Sequence, residues 1–154
     1  MKKKLFAIGN PIMMDDRIGI VVAEEIRDWL TQREVEIIIG ETDTDYRMSF
    51  IQHDDFIIII DATYLNNKPG CVTTCPIREL NDDYKSGYSQ HEMSLLKGLT
   101  MYGKKIKGYF IGIEIDNIQF GCELSENLRI QFQSICEKVK AEIQNILEGE
   151  NNLS

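Results

Sequence analysis

The chain has only two histidines, His53 and His91, and its four cysteines, Cys71, Cys75, Cys122 and Cys136, include no Cys-x-x-Cys pair. A chain of this size needs no disulfides to hold its core, so the thiols read as reduced and structural. Long apolar runs are also missing: nothing approaches the roughly 18 to 20 residues that cross a bilayer, and no membrane span is expected. The opening Met1-Lys2-Lys3-Lys4-Leu5-Phe6-Ala7-Ile8-Gly9-Asn10 begins basic, as an export signal does, but its apolar stretch ends after four residues. It reads as a first strand, and the protein as cytoplasmic. Positive charge is scarce, with a net charge of -8 and a pI near 4.8, and acids are scattered through Asp43, Asp45, Asp54, Asp55, Asp82 and Asp83. Such a field repels a phosphate backbone, which excludes a nucleic-acid partner. Linkers, internal repeats and low-complexity segments are absent too. At 154 residues and 43% apolar content, the chain reads as a single domain over 1–154 with a substantial core, expected to be monomeric.

What is present alternates between two periodicities. Leu5 to Gly9 is a short apolar strand, and Ile18 to Leu30 carries Ile18, Val21, Val22, Ile26 and Trp29 at helical spacing. Val35 to Gly40 is a second β-branched run, followed by a short helical candidate over Tyr46 to Gln52. Phe56-Ile57-Ile58-Ile59-Ile60, closed by Asp61, has the pattern of a strand buried on both faces and is placed at the sheet centre. After the turn-rich Asn66-Asn67-Lys68-Pro69-Gly70, Cys71 to Ile77 follows too closely for a parallel crossover and is expected to run antiparallel. Ser89 to Met101 reads as a helix, Ile106 to Ile115 as a last strand and Leu128 to Leu147 as a final amphipathic helix, with Gly149 to Ser154 a frayed tail. This order predicts a three-layer α/β/α sandwich around a mostly parallel five-stranded sheet with one antiparallel strand.

Ligands of open α/β sheets bind beyond the carboxyl ends of the strands, which directs attention to the loops after Gly9 and Ile60. Both carry carboxylates: Asp15 and Asp16 in one, Asp61 in the other. Ser89-Gln90-His91-Glu92 fits a capping box, placing His91 in the first turn of a helix whose positive end keeps imidazole neutral. Two carboxylates and a neutral imidazole suit a borderline divalent metal such as nickel or zinc. Bland readings stand beside these. Asp15 and Asp16 also suit the start of the helix near Ile18, Asp61 a loop bend, and His91 a surface turn; His53, beside Asp54 and Asp55, reads as exposed.

Taken together, Gly-Asn-x-x-x-x-Asp-Asp after strand one, apolar-Asp-Ala after the central strand and Ser-x-His opening a later helix resemble the hydrogenase maturation proteases. Phe110-Ile111-Gly112-Ile113-Glu114 is similar to the family's last strand, and the likeness runs from about Leu5 to Leu147. The resemblance implies an endopeptidase that removes a C-terminal extension from the large-subunit precursor of a nickel-iron hydrogenase. It implies that Asp16, Asp61 and His91 sense nickel already in the substrate, without an organic cofactor, and that Asp16 or Asp61 is a catalytic candidate. Arg17 stands where the family commonly has glycine, and Glu41-Thr42-Asp43-Thr44-Asp45 replaces a Gly-rich stretch; both bear on substrate choice.

No serine or cysteine nucleophile with a positioned base can be picked out, so the base is a carboxylate or a metal-polarised water. Two other classes compete. A flavodoxin-like small-ligand module would need the repeated glycines that Gly9-Asn10-Pro11 lacks. A non-catalytic nickel-binding assembly factor would use the same three residues without cleaving a chain.

Overall fold

The computed structural model describes residues 1–41, 49, 51–79 and 106–153. Five strands, β1 (Lys3–Ile8), β2 (Val35–Gly40), β3 (Phe56–Thr63), β4 (Val72–Pro76) and β5 (Lys107–Glu114), form one sheet in the order β2-β1-β3-β5-β4. All neighbours pair in parallel except β4, which runs antiparallel to β5 from Val72↔Ile113 to Pro76↔Tyr109. The eight residues between β3 and β4 explain that exception, because a parallel return needs a dozen or more. Among the described residues three helices, α1 (Ile18–Glu25), α2 (Arg27–Gln32) and α3 (Glu126–Leu153), pack against the sheet.

Every residue of β3 is buried, as expected for a central parallel strand covered on both faces. Side chains of a strand alternate between faces, and the two apolar clusters divide accordingly. Leu5, Ala7, Ile58, Ile60, Ile111 and Ile113 pack with Ile18, Val22, Leu30, Leu128, Val139 and Ile143 of the helices. Phe6, Ile8, Ile57, Ile59 and Phe110 form the opposite cluster with Ile51 and Ile77. Each buried isoleucine contributes about 1.5 to 3 kcal/mol, so β3 alone anchors much of the core.

Three expectations are corrected. The helix over Ile18 to Leu30 bends at Ile26, whose backbone (φ -97°, ψ 15°) separates α1 from α2. The stripe still works, because Ile26 N–H bonds to Val22 O and Leu30 N–H to Ile26 O, keeping both apolar residues buried. The last helix does not end at Leu147: it continues through the supposed tail to Leu153, since a lone Gly149 costs a helix only about 1 kcal/mol. Finally, Asp61 lies within β3, not beyond it. The ladder to β5 runs on through Asp61↔Gly112 to Thr63↔Glu114, past the end of the β1 ladder at Ala7↔Ile60. The helical candidates over Tyr46 to Gln52 and Ser89 to Met101 fall wholly or mostly outside the described residues.

Candidate active site

Where β1 ends, the chain turns through Gly9 to Pro11 and enters a 3-10 turn over Met14–Arg17 before α1 begins. Two glycines let this connection lie tight against the sheet. A Cβ on Gly9 would come within 2.6 Å of Asp16 O, and one on Gly19 within 2.7 Å of Ile60 O and 3.2 Å of the Asp61 Cα. Without either methyl, the turn holding Asp16 presses against the end of β1 and the first turn of α1 against the backbone at Asp61.

Asp16 is buried, and each of its carboxylate oxygens is held by its own donor. Asn10 N–H donates to Oδ2 at 3.0 Å, and the Tyr64 hydroxyl donates to Oδ1 at 2.6 Å. Because Tyr64 follows Asp61 by three residues, its hydroxyl ties the loop after β3 to the turn after β1. Asp61 is fully buried, and its Oδ1 accepts the N–H of the next residue, Ala62, at 2.7 Å. Low dielectric around both carboxylates strengthens their attraction for any cation that reaches them.

Asp15 does something different. Its carboxylate accepts the N–H groups of Asp116 (3.0 Å), Asn117 (2.8 Å) and Ser125 (2.7 Å) and the Ser125 hydroxyl (2.8 Å), with no exposure at all. Four donors fill a carboxylate's acceptor capacity, so Asp15 is a structural staple. Ser125 in turn caps α3, its Oγ accepting Leu128 N–H at 3.4 Å. Neither aspartate caps α1, whose N-cap is Arg17 without a side-chain bond. The helix-capping reading of Asp15 and Asp16 is thereby overturned. Arg17 instead donates from Nη1 to Cys122 O, linking the same two loops.

A further buried carboxylate stands at the end of β5. Glu114 accepts the Thr63 hydroxyl at 2.9 Å and Leu65 N–H at 3.0 and 3.1 Å, which shapes the loop that carries Tyr64. Sequence reasoning quoted Glu114 only as part of a strand and passed over Tyr64. The Asp-Ala-Thr-Tyr run was the available signal, since an aromatic hydroxyl just beyond a strand-end acid is within reach of the next loop.

Of the sequence-predicted residues, Asp16 and Asp61 are placed at the carboxyl ends of adjacent strands, and His91 lies outside the described residues. His53 is exposed, as expected. Among the described residues no three His, Cys, Asp or Glu side chains are grouped closely enough to hold a metal ion. None of the four cysteines forms a disulfide. Cys136 is buried, which pushes its thiol up to about 11 with Glu25 adding to the effect, and so makes it a poor nucleophile.

Comparison with known proteins agrees with this architecture. The family model HycI, described as hydrogenase maturation protease, matches residues 20–142, a span that includes Asp61 and His91. The [NiFe] hydrogenase maturation protease HybD from Thermococcus kodakarensis is 26% identical, superposes with a TM-score of 0.74, and is matched over 92% of this chain and 98% of its own. An endopeptidase from Escherichia coli is 22% identical at a TM-score of 0.75, covering 94% and 93%. The hydrogenase maturating endopeptidase HybD from E. coli shares the fold at 20% identity and a TM-score of 0.71, again over 94% and 93%. No curated protein matches the chain by sequence.

Proposed function

The chain belongs to the hydrogenase maturation protease family, a family of endopeptidases, and from that premise we propose that it trims the C-terminal extension of a nickel-iron hydrogenase large-subunit precursor after nickel insertion. In this reading nickel arrives with the substrate, and Asp16, Asp61 and His91 meet it in the cytoplasm. The supporting observation is that Asp16 is locked by two donors from two different loops, one of them Tyr64 just past Asp61. A carboxylate fixed in this way is oriented before the ion arrives, so binding loses little to side-chain ordering.

Docking the substrate's nickel on these residues positions the neighbouring scissile peptide, and orientation alone supplies a large part of a hydrolase's rate. Water, made more acidic where the substrate's nickel polarises it, then attacks the carbonyl carbon and gives its proton to a carboxylate of the Asp16 and Asp61 pair, and the C–N bond breaks with that proton passing to the amine. Purified protein incubated with precursor, with and without nickel, tests the gating by electrophoretic mobility. The nickel-loaded precursor is expected to shorten and the nickel-free precursor to stay intact. Equal cleavage of both would reject the proposal.

A further inference from the structure

The loop carrying Asp16 has a partner. Between β5 and α3, residues 116–122 lie alongside residues 12–15: Gly121 N–H donates to Ile12 O at 2.9 Å, Met14 N–H to Gly121 O at 3.0 Å, and Asp15 N–H to Asn117 O at 3.1 Å. Met13 and Gly121 form a parallel bridge, and the Asp15 carboxylate holds Asp116 and Asn117 from beneath. The double loop is therefore stiff. On it stand three of the five large apolar side chains that are exposed among the described residues: Ile12 at 51%, Ile118 at 43% and Phe120 at 82%.

A single exposed apolar residue needs no explanation, but three on two hydrogen-bonded segments beside a functional carboxylate do. They contribute nothing to the core, and the bonding beneath them rules out a loose loop whose apolar groups are exposed by chance. Exposed Asp116 and Glu123 stand near them with Arg129, 3.9 Å from Glu123, and Arg17, bonded to Cys122 O, while the whole chain carries -8.

We infer that the Ile12, Ile118 and Phe120 platform is the docking surface for the protein substrate, receiving an extended apolar peptide segment that also carries basic residues. This rests on the protease reading and extends it, giving recognition beyond the metal a place. Continuity with the site favours this occupant over a second copy of the chain. Ile12 precedes Asp16 by four residues on the same loop, so a segment lying on the platform passes beside the turn that holds Asp16. The net charge of -8 favours a basic segment and disfavours approach of a second, equally acidic copy.

The test uses the full chain, with Phe120→Ser and the double variant Ile12→Ser/Phe120→Ser, against immobilised nickel-loaded precursor and in the processing assay. All variants should melt like wild type, since these side chains are solvent-facing. Dissociation constant and KM should each rise about tenfold in the double variant with kcat unchanged, a change typical of losing a central aromatic anchor. Binding should also weaken as salt is raised. An unchanged dissociation constant and KM overturn the platform while leaving the protease reading intact. Wild type that binds but cleaves nothing, together with a variant that does not bind, upholds the platform and overturns the processing reading. Sedimentation showing a wild-type dimer that the double variant abolishes would identify the surface as a self-interface and reject the inference.

Discussion

The two ends of the sheet handle buried charge in opposite ways. At the amino end, where β1 and β3 begin, Lys4 and Asp55 are both buried and meet at 2.6 Å, with Gln52 N–H adding a bond to the same carboxylate at 2.8 Å. At the carboxyl end Asp15, Asp16, Asp61 and Glu114 accept from backbone N–H groups and from the hydroxyls of Ser125, Tyr64 and Thr63. An ion pair cancels its own charge, whereas dipolar donors hold a carboxylate in place and leave its negative charge in being. The ion pair serves the fold, as do Asp15 and Glu114 through the loops they hold, while Asp16 is oriented by donors from two loops at the carboxyl end of the sheet.

The sharpest way to separate the two ends is to remove one charge at each. Asp16→Asn should lower precursor processing by about 10³-fold, the range of a lost acid-base or ligand group, while the urea unfolding midpoint stays close to wild type. A large loss of stability with it would reduce Asp16 to a structural role like that of Asp15.

Lys4→Met should do the reverse, leaving activity per folded molecule unchanged and costing about 3 to 5 kcal/mol, because Asp55 would remain buried without its cation. The same variant sharpens the pH dependence. Burial pushes the Asp55 carboxyl up, but the Lys4 and Gln52 bonds outweigh it and hold it below its ordinary 3.8. A folded value below the unfolded one means the contribution is present above about pH 4 and is lost as pH falls through the folded value. With Lys4 gone, burial is opposed only by the Gln52 bond and the more distant Lys2, so the variant's stability deficit should be largest near neutral pH and shrink as pH falls below about 4, and a deficit that does not change with pH would contradict the assignment.

The smallest effect is expected from Tyr64→Phe, which deletes one hydrogen bond to Asp16 and nothing from the core. Processing kcat should fall about tenfold with KM unmoved, and the melting temperature should drop by a few degrees, about what one bond to a buried charged group contributes.

Much of this was readable in advance, for identifiable reasons. The four consecutive isoleucines of β3 and the close spacing of β4 leave few alternatives for the sheet, because burial on both faces and crossover length are local constraints. Asp16 and Asp61 stand out in the sequence because ligands of such sheets bind at strand ends, and the structure places both at the carboxyl side of β1 and β3. What divided Asp15 from Asp16 was not local. Adjacent residues in a 3-10 turn point in different directions, and the donors that claim Asp15 lie about a hundred positions away, at Asp116 to Ser125. The Lys4 and Asp55 pair was hidden for the same reason, and Asp55 read as one more surface acid. The bend at Ile26 left the apolar stripe intact, so periodicity carried no trace of it.

The Asp15 staple also sets an order of events. Its four donors belong to residues 116–125, so the turn bearing Asp16 lacks its foundation until the chain has been made that far. A nascent or truncated protein missing that stretch would have its first strands and no finished loop around Asp16. Competence thus arrives late in synthesis, as a by-product of where one carboxylate finds its partners.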